Sequence, residues 1–292
     1  MFKKIALIDC GKISLTGIKK LKELSQELPV ELPHPPSSPE ELGHLLKDCD
    51  ALITSLTVDV TEAVIRGNPQ LKYIGVCGSS LKRINQEFAV ANGVTVKNVL
   101  GYCDNDTAHF LIIELCCLVR GLKNHLWRDE PQSLCGKTLG IIGLGAVGLE
   151  VAKLANAFGM HVIYYSRSRK PDFENSNLVY KNLDNVLGEC DFLSLHTPPK
   201  KKILEASHFQ LLGTGKILLN TCVGEIFNIN DLQGWLENGN FSIFDSVAAS
   251  FYPSEIKNFN NMIISDRPAY KTKESYEGLA KKVVEAAQSF LQ

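Results

Sequence analysis

"TLGIIGLGAVGLEVAKLANAFGMHVIYYSRSRK", residues 138–170, decides how the chain is read. A short aliphatic run from Thr138 to Ile142 stops at Gly143, and glycine returns at Gly145 and Gly148 as apolar residues at helical spacing begin. This G-x-G-x-x-G run between a strand and a helix suits a dinucleotide. Gly143 permits the tight turn, Gly145 lets the backbone approach a pyrophosphate, and Gly148 lets helix and strand pack closely. The helix N-terminus at Ala146 and Val147 supplies N–H donors and a positive dipole end.

The strand after that helix, 161–166, runs into Ser166-Arg167-Ser168-Arg169-Lys170. A carboxylate for the ribose hydroxyls of NAD is expected there, about 20 residues past the glycines. None is present in the turn. The hydroxyl and guanidinium donors of Ser166, Arg167, Ser168 and Arg169 suit a 2′-phosphate, and an acid to repel it is missing, so NADP(H) is favoured over NAD(H). A solvated basic turn is the plainer alternative.

Beyond this stretch the alternation continues with strand 191–196, helix 204–212, strand 215–220, helix 229–238, strand 241–246, strand 262–265 and a C-terminal helix. Before it come strand 3–9, helix 15–26, a helix opened by Ser38-Pro39, strand 51–56, helix 61–69 and strands 71–78 and 93–99. A long apolar helix, Asp104 to Leu122, follows. The polar "KNHLWRDEPQSLCGK", residues 123–137, reads as a linker. Short continuous apolar strands between helices imply parallel sheets covered on both faces, hence an α/β fold in two doubly wound domains.

Composition narrows the function classes. A net charge of −1 over 292 residues gives no electrostatic footprint for nucleic acid. The opening apolar run is too short for a signal peptide, and no apolar stretch reaches the roughly 20 residues of a membrane span, so a cytoplasmic protein is expected. Nine scattered cysteines without a C-x-x-C pair read as reduced thiols, with no metal site and no disulfide framework.

The chain resembles the D-isomer-specific 2-hydroxyacid dehydrogenases, which include glycerate, hydroxypyruvate and phosphoglycerate dehydrogenases. The likeness runs through "LKDCDALITSLTVDVTEAVI" (46–65), "PQLKYIGVCGSSLKRIN" (69–85), "GKTLGIIGLGAVG" (136–148), "LGECDFLSLHTPP" (187–199) and "GTGKILLNTCVGEIFNINDL" (213–232). The resemblance implies a flavodoxin-like substrate domain of residues 1–101 plus 266–292. A Rossmann cofactor domain, 102–265, would complete the protein, with the active site in the cleft between. It implies a homodimer through the cofactor domain, although 127–136 is shorter than the family's dimer arm. The cofactor residues carry over: Gly143, Gly145 and Gly148; His196, Thr197 and Pro198 beside the adenosine half; Thr221, Cys222 and Val223 along the nicotinamide; and Asp245 for its amide.

The family's catalytic residues do not carry over. Its substrate-gripping arginine is Val223 here, its orienting glutamate is Ser250, and its histidine aligns with Arg267, or with Asp266 if the register slips by one. The carboxylate-binding turn is Gly78-Ser79-Ser80, with Lys82 two residues on, and a helix glutamate is His109. Gly78 is expected to offer its backbone N–H to a carboxylate. The resemblance thus leaves two functions open. One is an NADP(H)-dependent oxidoreductase acting on something other than a simple 2-oxo acid. Arg267 would anchor a small anion, and the proton would come from His109, Tyr102, Tyr270 or Lys271. The other is a pseudoenzyme that binds NADP(H) as a sensor or partner. His109 also reads as a packing histidine on an apolar helix, and Cys77 or Cys222 as a nucleophile is a weaker third reading.

Overall fold

The computed structural model describes residues 1–11, 13–198 and 202–292. The chain divides into two compact units, Met1–Cys103 with Thr272–Gln292, and Asp104–Lys271. In chain order the first holds β1 (Ile5–Ile8), α1 (Leu15–Lys22), β2 (Val30–Leu32), α2 (Pro39–Leu45), β3 (Ala51–Thr54), α3 (Glu62–Arg66), β4 (Tyr73–Val76), α4 (Gln86–Ala91) and β5 (Thr95–Asn98). The second holds α5 (Asp104–Arg120), β6 (Thr138–Ile142), α6 (Ala146–Ala157), β7 (His161–Tyr165), β8 (Leu178–Tyr180), α7 (Leu183–Glu189) and β9 (Phe192–Leu195). It continues with α8 (Ala206–Leu212), β10 (Ile217–Asn220), α9 (Ile229–Leu236), β11 (Phe241–Phe244), α10 (Ser246–Ala249) and β12 (Met262–Ile264). The closing helix α11 (Lys273–Phe290) returns to the first unit.

The first sheet is parallel in the order β2-β1-β3-β4-β5, the flavodoxin-like order. The second is parallel in the order β12-β11-β10-β9-β6-β7-β8, a Rossmann order extended by one edge strand. Every residue of β1, β3, β4, β9 and β10 is buried, because helices cover both faces. That is why these strands read as unbroken aliphatic runs rather than alternating ones.

Local chemistry starts the helices. The Ser14 hydroxyl accepts from Gly17 N (3.2 Å), and Ser38 precedes Pro39 at the first position of α2. Thr272 Oγ1 accepts from Ser275 N at 3.0 Å to open α11. The apolar stripe of α11, Leu279, Ala280, Val283, Val284 and Ala287, is buried in one core with Ile5, Ile53 and Tyr73.

The structure adds elements that the sequence pattern does not announce: β2, α4, β8, α7 and α10. Parallel neighbours β4 and β5 require a crossover, and the six residues of α4 provide it. The helix expected over 15–26 stops at Lys22, because Gln26 N–H already donates to Phe2 O as the chain turns toward β2. Residues 123–137 are no linker. Trp127 is buried edge-on to Phe192 with ring centroids 5.1 Å apart, and Gln132 N–H donates to Val119 O, so the segment belongs to the second unit.

Helices α1 and α11 meet at Gly17, where an added Cβ would lie 2.5 Å from Ala280 Cβ and 2.6 Å from Ile13 Cγ2. Gly17→Val is therefore expected to destabilise the protein by about 1–3 kcal/mol through overpacking, read as a lower urea midpoint at unchanged slope.

Candidate functional site

In the second sheet β6 lies between β7 and β9, so successive connections leave it in opposite directions. Ligands of open α/β sheets bind outside the carboxyl ends of the strands at such a reversal. The loops after β6, β7, β9, β10 and β11 carry all the cofactor residues expected from the sequence.

The turn after β6 is set by close approach. Gly143 has φ +98°, its N–H donates to Tyr165 O (2.8 Å), and a Cβ there would sit 2.2 Å from the His196 carbonyl oxygen. At Gly148 a Cβ would lie 2.4 Å from Gly143 O. These two glycines are needed for the protein to pack against itself. Gly145 differs: it is exposed, has φ −88°, and a Cβ would meet nothing within 4 Å. No side chain caps α6 at Gly145, and the first amides of the helix have no intrahelical acceptor. An open approach to backbone N–H groups at a helix N-terminus fits the pyrophosphate of a dinucleotide.

The loops after β9 and β10 are tied together by a thiol. Cys222 Sγ donates to Leu195 O (3.1 Å) and accepts from Thr197 N (3.4 Å), and Cys222 N–H donates to Asn220 Oδ1 (2.9 Å). Burial pushes the Cys222 thiol up to about 11, which disfavours the thiolate a nucleophile needs. Asn220 is fully buried, and its Nδ2 has no partner among the described residues. Sequence reasoning gives Asn220 no role; its only signal is a polar residue closing an aliphatic strand. His196 N–H donates to Ile142 O (2.8 Å), and its Nε2 faces Ser194 Oγ at 2.8 Å. Thr197 is half-buried and Pro198 exposed.

Asp245 is 2% exposed and caps α10: Oδ1 accepts from Ala248 N and Oδ2 from Ala269 N, each at 2.8 Å. Burial raises its carboxyl above the usual range, against the backbone N–H bonds that lower it. A carboxylate has further lone-pair sites, so it can accept a third donor.

The turn after β7 corrects the expectation that an acid is missing. Glu174, carried round by a short 3-10 helix, takes Arg169 Nε on Oε1 (2.8 Å) and Arg169 Nη2 on Oε2 (2.7 Å). The Ser166 hydroxyl is also used, donating to Ser168 O at 2.6 Å. Arg167 and Ser168 are exposed.

Three of the expected catalytic positions come together. Ser250, Arg267 and Asp266 line one cavity of about 1140 Å³ in the second unit, with His125, Lys123 and Lys257. Ser250 Oγ donates to Val247 O (2.7 Å), and the Arg267 side chain is 74% exposed with its Nε 3.9 Å from Asp266. Val223 and Phe251 are exposed and Thr221 half-buried, while Tyr252 is buried on Phe227 with its hydroxyl accepting from Ile226 N. His109 is exposed on α5, which overturns its reading as a packing histidine; its neighbours Ala108 and Leu111 carry the apolar face. In the first unit Gly78 N–H is not free for a carboxylate, because it donates to Val76 O at 2.8 Å. Ser79 O accepts from Asn98 Nδ2 (2.6 Å), Ser80 Oγ accepts from Lys82 N (3.3 Å), and Cys77 is buried. No group of acidic, histidine or cysteine side chains able to hold a metal occurs among the described residues. Nor is any helix among them long and apolar enough to cross a membrane.

Burial holds the His196 imidazole down at about 4, below its unfolded value near 6.5. Between those values the unfolded chain binds the extra proton, so stability is expected to fall as pH drops from 6.5 toward 4, by about 3 kcal/mol at most. Urea melts across that window should show this component missing in His196→Gln.

Residues 113–265 match the family model described as D-isomer specific 2-hydroxyacid dehydrogenase, NAD binding domain. The chain is 28% identical to the glyoxylate reductase of Thermococcus litoralis, over 96% of this chain and 91% of that protein. It is 26% identical to the glyoxylate reductase of Korarchaeum cryptofilum, over 94% and 89%. Among solved structures, a protein of Thermus thermophilus superposes with a TM-score of 0.83 at 25% identity, over 99% of this chain and 96% of that one. An acyclic imino acid reductase in complex with NADPH and D-Arg shares the fold at a TM-score of 0.83 and 24% identity, over 99% and 97%. Because the family's NAD-binding domain covers more than half of the sequence, the chain belongs to the D-isomer specific 2-hydroxyacid dehydrogenases.

Proposed function

We propose that the protein is an oxidoreductase that uses a nicotinamide dinucleotide, NADP(H) in preference to NAD(H), on a small anionic carbonyl or hydroxyl compound other than a simple 2-oxo acid. The observation that carries this reading is Gly145. The chain itself needs no glycine there, and the space it leaves faces the uncapped start of α6. Relatives that are glyoxylate reductases support the reaction class.

When bound, the nicotinamide supplies or accepts the hydride. The residues of this chain would hold it: Gly143 to Gly148 at the pyrophosphate, Ser166 to Arg169 at the ribose, His196 to Pro198 along the adenosine half. Thr221, Cys222 and Val223 would lie by the nicotinamide, with Asp245 accepting its amide. Arg267 would anchor the substrate's anionic group. In the first unit the Ser79 and Ser80 hydroxyls would contact an anion, with Gly78 only shaping the turn because its amide already donates to Val76 O. His109 remains the candidate proton donor, since its exposure leaves it accessible to solvent. The thiols fit a reducing, cytoplasmic compartment. A homodimer would form through the second unit.

A second reading, a protein that binds NADP(H) without turnover, is favoured by Val223, Ser250 and Arg267 standing where the family has its arginine, glutamate and histidine. A positioned acid or base contributes about 10² to 10⁴ in rate, and Arg267 does not replace one because a guanidinium stays protonated.

Calorimetry with NADPH and NADH, followed by turnover on aldehydes, 2-oxo acids and phosphorylated carbonyls, tests both. NADPH is expected to bind more tightly, and Gly145→Val to abolish binding while leaving the melting temperature near wild type. Turnover on an anionic carbonyl should fall about 10²-fold in Arg267→Ala. Tight binding with no turnover across the panel selects the second reading, and no binding of either nucleotide removes both.

A further inference from the structure

The turn after β7 already holds a carboxylate where an anionic ligand would go. Arg169 presents its guanidinium fork to both oxygens of Glu174, a bidentate pairing like the one such a fork makes with a phosphate. The pair is built into the fold rather than loosely solvated. The Glu174 side chain is only 16% exposed, and its Oε1 also accepts from Tyr164 Oη (2.8 Å). Tyr164 Oη in turn accepts from Lys170 N (2.8 Å), and the Arg169 guanidinium lies 5.6 Å from the centre of the Tyr180 ring. Arg169 holds the Glu174 carboxyl down at about 2, so the acid is ionised at neutral pH. Two residues earlier Arg167 is exposed and has no ion pair or side-chain hydrogen bond among the described residues.

We propose that Glu174 is an internal stand-in for the ribose 2′-phosphate: it occupies the guanidinium of Arg169 and thereby limits how strongly the turn prefers NADP(H) over NAD(H). This rests on the dinucleotide reading of the site. Arg167 is then the guanidinium that meets the phosphate in the resting protein, and Arg169 does so only when Glu174 lets go. Glu174 tunes specificity from outside the ligand and is a positioning residue. Its replacement should alter the ratio of affinities, which a merely structural residue would not do.

The test is calorimetry of NADPH and NADH on wild type, Glu174→Gln and the double variant Arg169→Ala with Glu174→Gln, with a thermal melt of each. Glutamine keeps the shape and the Tyr164 bond but removes the charge. Expected is a roughly three- to tenfold tighter NADPH affinity in Glu174→Gln with NADH unchanged, and a steeper loss of NADPH affinity with added salt. The double variant, which removes both charges, should lose the NADPH gain of Glu174→Gln. Should Glu174→Gln stay folded and bind NADPH as before or more weakly while wild type still prefers NADPH, the stand-in role is wrong and the cofactor reading survives. If wild type binds the two nucleotides equally and Glu174→Gln gains only for NADPH, the stand-in role holds and the stated cofactor preference fails. Failure of wild type to bind either nucleotide overturns the cofactor reading and this inference with it.

Discussion

The site depends on how closely the turn after β6 passes the loop after β9. The Gly143 backbone runs so near the His196 carbonyl that no side chain fits between them, and Gly148 then packs its helix against Gly143 itself. These two contacts fix where α6 begins and which way its first amides point. The position of His196 follows from the same approach, because its N–H is held by the last residue of β6. Cys222 extends the constraint by one strand, joining the loops after β9 and β10 through a thiol that donates on one side and accepts on the other. A dinucleotide entering here would meet two loops already tied to one another by Cys222.

Much of this is legible in the residues. The aliphatic strands, the glycine spacing and the start signals of the helices are local properties, and local properties survive into the fold. The elements that escape a sequence reading are short or sit between strong signals. β2 has three residues and no fully buried one, and α4 becomes necessary only once β4 and β5 are known to be parallel. Trp127 reads as part of a polar linker because its neighbours are polar, and its burial against Phe192 is a tertiary fact.

The candidate site shows the same division. The glycines can be read from spacing, and the structure separates their reasons: two serve the protein's own packing and one leaves space outside it. The basic turn reads as free of acid, yet Glu174 lies five residues past Arg169, and the 3-10 turn and the Tyr164 hydroxyl bring it back. Gly78 is expected to offer its N–H, but the tight turn consumes that donor. His109 reads as packed because its helix is apolar, and an apolar helix still has an exposed side. Charge and exposure at a turn are set by what folds back onto it, and no window of sequence contains that.

The first compact unit is assembled from both ends of the described chain, with α11 filling the core between β1 and β4. A polypeptide made from its N-terminus therefore has every residue of the second unit through Lys271 before it has any of α11. Until that helix emerges, the face of the first sheet bearing Ile5, Ile53 and Tyr73 lacks part of its cover, and such transiently exposed apolar surface is where misassembly starts. The unit that comes first in sequence is the last to be completed.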